Sequence, residues 1–183
     1  MKPIYTVHAG EYLVGTYIEK TYQDLNVWFP SKDRGIDLLV TNQNSTKAVS
    51  LQIKFSKDYV QLHSYKEPEV SRGIRCMGWF TLNTKKIRES KADLWVLISY
   101  TFEEVRNQFI IIPPTTLLKR LEKIHGKRDR YNTYLWVTKG EKCYEARDLS
   151  KQERILLAND ALKEKKRDFT EYLNQWDQLI ERL

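Results

Sequence analysis

The sequence predicts a single α/β domain, a three-layer α/β/α sandwich around a central mixed β-sheet. Three observations carry that expectation. An amphipathic helical stretch opens the chain, several strand-length apolar runs follow with helices interposed, and the chain closes on a helical pattern. At 183 residues the chain is long enough for one well-buried core, and length alone argues for one domain.

The first element spans about Ala9 to Tyr22, where Tyr12, Leu13, Tyr17 and Ile18 recur at helical spacing. Strand-forming residues follow at Asn26–Phe29. Ile36–Thr41 and Ala48–Phe55 read as a hairpin, because the polar, turn-prone run Asn42 to Lys47 separates them. Residues 56–78 show no clear period and contain Pro68, Gly73 and Gly78, so a long functional loop is expected there. Thr81–Ser90 reads as a helix, led in by Trp79 and Phe80 as core anchors. Leu94–Tyr100 is a continuous apolar run and suggests a central strand buried on both faces. Phe109–Ile112 is the next strand, closed by Pro113-Pro114. Thr115 begins a helix through Leu117, Leu118, Leu121 and Ile124, and Tyr134–Thr138 is a further short strand. From Ser150 onward no Pro or Gly interrupts the chain, so 150–183 is expected to form a helical extension packed on the domain. Tyr172, Leu173, Trp176, Leu179 and Ile180 would share one face of its last helix.

Composition narrows the partners. No apolar run approaches the ~20 residues that span a membrane, and Met1–Gly10 lacks the layout of a secretory signal. Cys76 and Cys143 lie far apart without a CxxC pattern, which suits reduced, buried thiols in a cytoplasmic protein. The net charge is +7, and residues 1–150 hold all of that excess, with 24 Lys/Arg against 17 Asp/Glu. Such a surface permits a polyanionic partner, although solubility alone also accounts for it.

The sharpest feature is the hairpin. Its midpoint falls between Asn44 and Ser45, so symmetric antiparallel pairing sets Asp37 opposite Gln52, with Cβ atoms about 5 Å apart. Alternation puts Lys54 on the same face as Gln52 and turns Leu51, Ile53 and Phe55 toward the core. A carboxylate, an amide and an ammonium then share one end of an apolar-backed hairpin. Mg²⁺ takes oxygen ligands, usually one or two carboxylates with water and phosphate. Asp37 can supply a carboxylate, Gln52 its side-chain oxygen and Ile53 a backbone carbonyl, while Lys54 serves the attacking water. Taken singly these residues have ordinary readings as a turn cap, a backbone partner and a solvated strand end. Their joint placement argues for a site.

Gly35-Ile36-Asp37-Leu38-Leu39-Val40 followed by Gln52-Ile53-Lys54 resembles the D-x(n)-(E/D/Q)-x-K signature of the PD-(D/E)XK nucleases, in the Gln form of Mrr-like restriction endonucleases. Gly10-Glu11-Tyr12-Leu13-Val14 resembles the helix-one motif of the Holliday-junction-resolvase-like branch. The resemblance covers about residues 8–56 and, more loosely, the chain to Pro113. It implies a restriction-endonuclease-like fold, Mg²⁺ or Mn²⁺ as cofactor, DNA as substrate and often a homodimer. It also implies that Glu11 joins the metal site, with Glu19 as the alternative acid on the same helix. The chain departs from the pattern at Gln52, which removes a negative charge from the metal site, and at Ile36, where a Pro is usual.

Other residues are candidates for nucleic-acid contact. Ser56 follows the strand and can donate to phosphate. The 56–80 segment carries Lys57, Tyr59, Tyr65, Lys66, Arg72 and Arg75, a basic and aromatic mixture that suits backbone or an unstacked base. Lys119, Arg120, Lys123, Lys127, Arg128 and Arg130 form either a phosphate-binding ridge or a solvated helix face. His8, just before the first helix, reads as a capping or surface histidine, with substrate contact as the alternative, and His63 and His125 lack spacing partners that suggest metal or acid–base roles. The expected function is metal-dependent DNA hydrolysis, against a catalytically inactive DNA-binding or interaction module and an RNA-directed nuclease.

Overall fold

The structure, a computed structural model, describes residues 9–32, 34–60, 67–101 and 107–183. The chain begins with α1 (Ala9–Thr21), β1 (Leu25–Trp28), β2 (Leu38–Asn42) and β3 (Ala48–Lys57). Next come α2 (Pro68–Ser71), β4 (Ile74–Asn83), α3 (Thr84–Arg88), β5 (Leu94–Tyr100) and β6 (Gln108–Ile112). It ends with α4 (Pro114–His125), β7 (Arg130–Thr138), β8 (Cys143–Glu145), α5 (Lys151–Ala158), two 3-10 turns (Lys165–Arg167, Thr170–Tyr172) and α6 (Asp177–Ile180).

The main sheet is mixed, as expected, with strand order β1-β2-β3-β5-β6. Its one parallel pair is β3–β5, and β1–β2, β2–β3 and β5–β6 are antiparallel. The apolar run Leu94–Ser99 is buried throughout because β5 has a strand on each side and packing on each face. The hairpin turn is tied by Asn42, whose side-chain oxygen accepts the backbone N–H groups of Thr46 (2.9 Å) and Lys47 (3.1 Å).

On one face of this sheet, Val14 and Ile18 of α1 pack over Leu38, Leu51, Val96 and Ile98, with Trp176 and Leu179 from the C-terminal segment. The opposite face differs from the sandwich expected. Besides α3 and α4, it is covered by a second antiparallel sheet, β4-β7-β8, whose Phe80, Leu82, Tyr131 and Leu135 join Leu97, Ile110 and Leu117 in one core. The outer face of that sheet has a core of its own, where Val70 and Leu157 lie with Met77 and Trp136. The described residues therefore form a mixed α/β arrangement with two sheets.

The second sheet accounts for three further differences. The segment expected as a loop over residues 56–78 includes the end of β3, α2 and the first half of β4. Gly78, which looked like a turn signal, lies inside β4 where the strand presses on Ser99 of β5, and a Cβ there would collide with the Ser99 hydroxyl. The helix expected over Thr81–Ser90 shrinks to Thr84–Arg88, because Thr81–Asn83 pair with Asn132–Arg130 of β7. Trp79 is 46% exposed on the outer face of β4, not a core anchor.

The C-terminal segment is not one long helix. Asp160 and Asn174 adopt positive φ (57° and 55°), which Asn and Asp tolerate, and the chain turns at both. Asp160 accepts the Thr138 hydroxyl at 2.7 Å, and the Asn174 side chain accepts the Phe109 N–H at 3.0 Å. These tertiary bonds replace helical ones. Tyr172, Leu173, Trp176 and Leu179 are buried as expected of an inward face, while Ile180 is exposed. Among the described residues, no helix is long and apolar enough to cross a membrane.

Candidate functional site

The site forms where β2 ends before β3 does. Leu38 pairs with Leu51, so Asp37, one residue earlier, stands opposite Gln52 as the hairpin midpoint required. Asp37 still donates its backbone N–H to the Leu51 carbonyl at 2.8 Å. Beyond this point β3 continues to Lys57 without β2 beside it. The Asp37 carboxylate takes the place of the missing strand, and its Oδ2 accepts the Ile53 N–H at 2.7 Å. The same oxygen accepts the Gln52 side-chain amide in a short hydrogen bond. Ile53 thus reaches Asp37 through its N–H.

Gln52 and Lys54 lie on the face shared with Trp95, the β5 partner of Gln52. The Lys54 ammonium is 5.5 Å from the centroid of the Trp95 ring. That ring is buried, and its indole N–H donates to the Ser90 hydroxyl at 2.9 Å. Leu51 and Ile53 face the α1 side and are buried, but Phe55, expected to point into the core with them, is 43% exposed, with its ring 5.9 Å from that of Tyr100.

Glu11 is buried (6% exposed) in the first turn of α1, where the helix dipole favours a carboxylate, whereas Glu19 lies on the solvent side. Gly10 makes this placement feasible. A Cβ at Gly10 would sit 3.1 Å from both Ile53 Cγ2 and Phe55 Cβ, so the helix start lies directly on β3. Glu11, Asp37, Gln52, Ile53 and Lys54 line one cleft of about 730 Å³, within the ~300–1,000 Å³ usual for ligand sites.

The cleft also holds residues not singled out from sequence. Arg34 enters from the loop before β2, Lys86 and Glu89 from α3 and its C-terminal end, and Lys91 from the approach to β5. Among the described lining residues this makes, with Lys54, four cations against the three carboxylates of Glu11, Asp37 and Glu89, a balance that favours an anionic ligand. Lys86 and Lys91 belong to a basic stretch visible in the sequence, but only tertiary packing, with α3 set against α4 and β4, brings them to the hairpin.

The donor set suits a hard cation in chemical kind, with two carboxylates and an amide oxygen. Among the described residues no three His, Cys, Asp or Glu side chains gather as a metal cluster, so an ion here would rely on Glu11, Asp37 and Gln52. Gln52 presents its amide nitrogen to Asp37 and would turn over to offer oxygen.

The outlying candidates are dispersed. Ser56 is buried, and its hydroxyl donates to the Lys57 carbonyl and accepts the Trp79 N–H, both at 2.8 Å, tying β3 to β4. Lys57 is exposed, with its ammonium 5.4 Å from the Tyr59 ring centroid. Arg72 is exposed at the end of α2, and Arg75 pairs with Glu141 at 3.5 Å. Lys123, Lys127, Arg128 and Arg130 are all exposed, and Arg128 Nε donates to the His125 carbonyl at 3.0 Å. The His125 side chain is buried beside Glu145 of β8 (3.2 Å), which also binds Arg167 at 2.7 Å. His8, His63, Tyr65 and Lys66 lie outside the described residues.

Fold and cleft together define a mixed α/β protein with an acid–amide–lysine site at the fork of a hairpin. The chain matches no family model, and no curated protein or solved structure is significantly similar to it.

Proposed function

We propose that the chain is a metal-dependent DNA endonuclease of the PD-(D/E)XK kind, hydrolysing phosphodiester bonds in the cleft of Glu11, Asp37, Gln52 and Lys54. The observation that carries this reading is the fork itself. The Asp and the Gln-x-Lys tripeptide of the motif resemblance meet where β2 leaves β3, and Glu11 of the second motif lines the same cleft.

Glu11, Asp37 and Gln52 would hold Mg²⁺ or Mn²⁺, which when bound polarises the phosphate and makes water more acidic. Hydrolysis joins the water oxygen to phosphorus, breaks the bond to the leaving sugar oxygen, and transfers a proton from water to the leaving group through solvent. Lys54 orients that water by donating to its oxygen and offsets charge building on the phosphoryl oxygens. Trp95 holds the Lys54 ammonium over its ring. Arg34, Lys86 and Lys91 neutralise neighbouring phosphates.

A second reading, a nuclease-like module that binds nucleic acid without cutting it, draws on one observation. Asp37 Oδ2 is already engaged by Gln52 and the Ile53 N–H. The test is incubation with supercoiled plasmid, branched DNA and RNA in Mg²⁺, Mn²⁺ or EDTA, beside Asp37→Ala and Lys54→Ala. Metal-dependent cutting lost in both variants supports the nuclease. Equal inertness of all three proteins, with no metal binding by calorimetry, leaves the binding module. Cutting confined to RNA replaces the substrate.

A further inference from the structure

Helix α4 and the first 3-10 turn form a second basic feature away from the cleft. A depression of about 240 Å³ is lined by Thr116, Lys119, Arg120 and Lys123 of α4, by Lys165 and Lys166 of the turn, and by Tyr172. Among the described residues, no carboxylate lines it. The lysines come from two segments more than forty residues apart, so their gathering is a product of tertiary structure.

Arg120 builds the depression. Its guanidinium lies 4.6 Å from the Phe169 ring centroid and 5.4 Å from that of Tyr172. It donates to the carbonyls of Asp168 and Lys166 and pairs with Glu171 at 2.9 Å. This clamp fixes the turn against α4, setting Lys165 and Lys166 across from Lys119 and Lys123. Lys166 is paired with Glu164 at 2.7 Å. Among the described residues no ion pair involves Lys119, Lys123 or Lys165, and all three are exposed. A preorganised concave surface with like charges focuses positive potential and suits an anion with several negative groups.

The groove also has a defined place relative to the cleft. Helix α3, whose Lys86 lines the cleft, packs against α4, and Arg88 of α3 approaches Glu122 of α4 at 3.8 Å. Among the described residues, none of the exposed large hydrophobics lies in the groove, which disfavours a lipid surface, where apolar insertion accompanies charge.

We propose that the α4 groove, with Lys119, Lys123 and Lys165 as its contacts, binds the phosphate backbone of duplex nucleic acid and anchors it beside the cleft. This extends the nuclease reading by giving the substrate a second contact, and it rests on nucleic acid being the ligand. Each phosphate contact contributes about 0.9 to the slope of log affinity against log salt.

The test is binding of a fluorescein-labelled 30-base-pair duplex by anisotropy, in EDTA, from 50 to 200 mM NaCl. Wild type is compared with Lys119→Glu/Lys123→Glu/Lys165→Glu and with Lys20→Glu/Lys47→Glu/Lys139→Glu. The control replaces exposed lysines elsewhere and changes net charge equally. Thermal melting confirms that both variants fold. The groove variant is expected to lose about tenfold or more in affinity and to show a slope shallower by about 2 to 3, while the control stays near wild type. Equal weakening of both variants overturns the proposal, as does a groove variant that binds like wild type. Groove-dependent binding to phosphatidylserine vesicles but not to duplex also overturns it. Because binding is read without metal, absence of cleavage would count against the nuclease reading and leave this result intact.

Discussion

Asp37 and Ile53 are joined across the hairpin fork by a 2.7 Å hydrogen bond from a backbone N–H to a carboxylate oxygen. One side chain therefore completes the edge of β3 where its strand partner ends and also lines the cleft. A residue proposed to hold metal is in this way part of the fold, and stability and chemistry are coupled there.

That coupling separates two substitutions. Asp37→Ala removes the acceptor of a buried N–H and is expected to cost about 1–3 kcal/mol of stability in urea unfolding. Asp37→Asn keeps an acceptor and should unfold close to wild type, yet bind Mg²⁺ as poorly as the alanine variant in calorimetry. An Asn variant as unstable as the Ala variant would show that the charge, not the hydrogen bond, secures the fork.

Gln52→Glu places a second carboxylate against Asp37. Without metal the like charges should lower stability by up to about 1 kcal/mol. Millimolar Mg²⁺ should then raise the melting temperature of this variant more than that of wild type, since a ligand bound only by the folded state stabilises it. Metal-independent melting in both proteins would argue against a cation at this site.

The two glycines of α1 should respond in opposite directions. A Cβ at Gly10 meets Ile53 and Phe55 at 3.1 Å, whereas one at Gly15 finds Phe29 and Val27 at an ordinary 3.6 Å. Gly10→Val is expected to destabilise by about 1–3 kcal/mol through overpacking. Gly15→Ala should stabilise by about 0.5–1 kcal/mol through helix propensity. Thermal melts of both variants check the contrast.

Glu164 gives a pH signature. Burial pushes its carboxyl upward, but the ammonium of Lys166 and the guanidinium of Arg167 outweigh this and hold it below the ordinary carboxylate value. A pKa lower in the folded state than in the unfolded one adds stability above the unfolded value, and that stability is lost as pH falls through the folded value. Wild type should therefore exceed Glu164→Gln in stability at neutral pH, with the gap closing on acidification. A constant gap between pH 7 and pH 3 would exclude the electrostatic origin.

Cys76 and Cys143 are both free and fully buried, and burial pushes both thiols up from their ordinary value. Neither should react with a disulfide reagent at pH 8 in the native protein, and both should react in guanidinium. Fast native labelling would mean that the second sheet opens readily.

Local patterns determined much of this protein. The Asn42–Lys47 turn chemistry and the alternation in β2 and β3 set a register that places Asp37 across from Gln52, and both depend only on residues near in sequence. The buried run of β5 and the amphipathic faces of α1 and α4 are legible for the same reason. What tertiary structure decided were the features that depend on distant partners. Ile74–Asn83 becomes a strand because β7 supplies its hydrogen bonds, although Gly78 within it reads as a turn signal. The C-terminal segment gives up helix because Thr138 and Phe109 offer Asp160 and Asn174 better-placed bonds. Lys86 and Lys91 reach the cleft, and Lys165 reaches Lys119, only through packing. Short-range periodicity encodes which face of an element is apolar, while the meeting of two faces is settled by the burial that the whole chain achieves together.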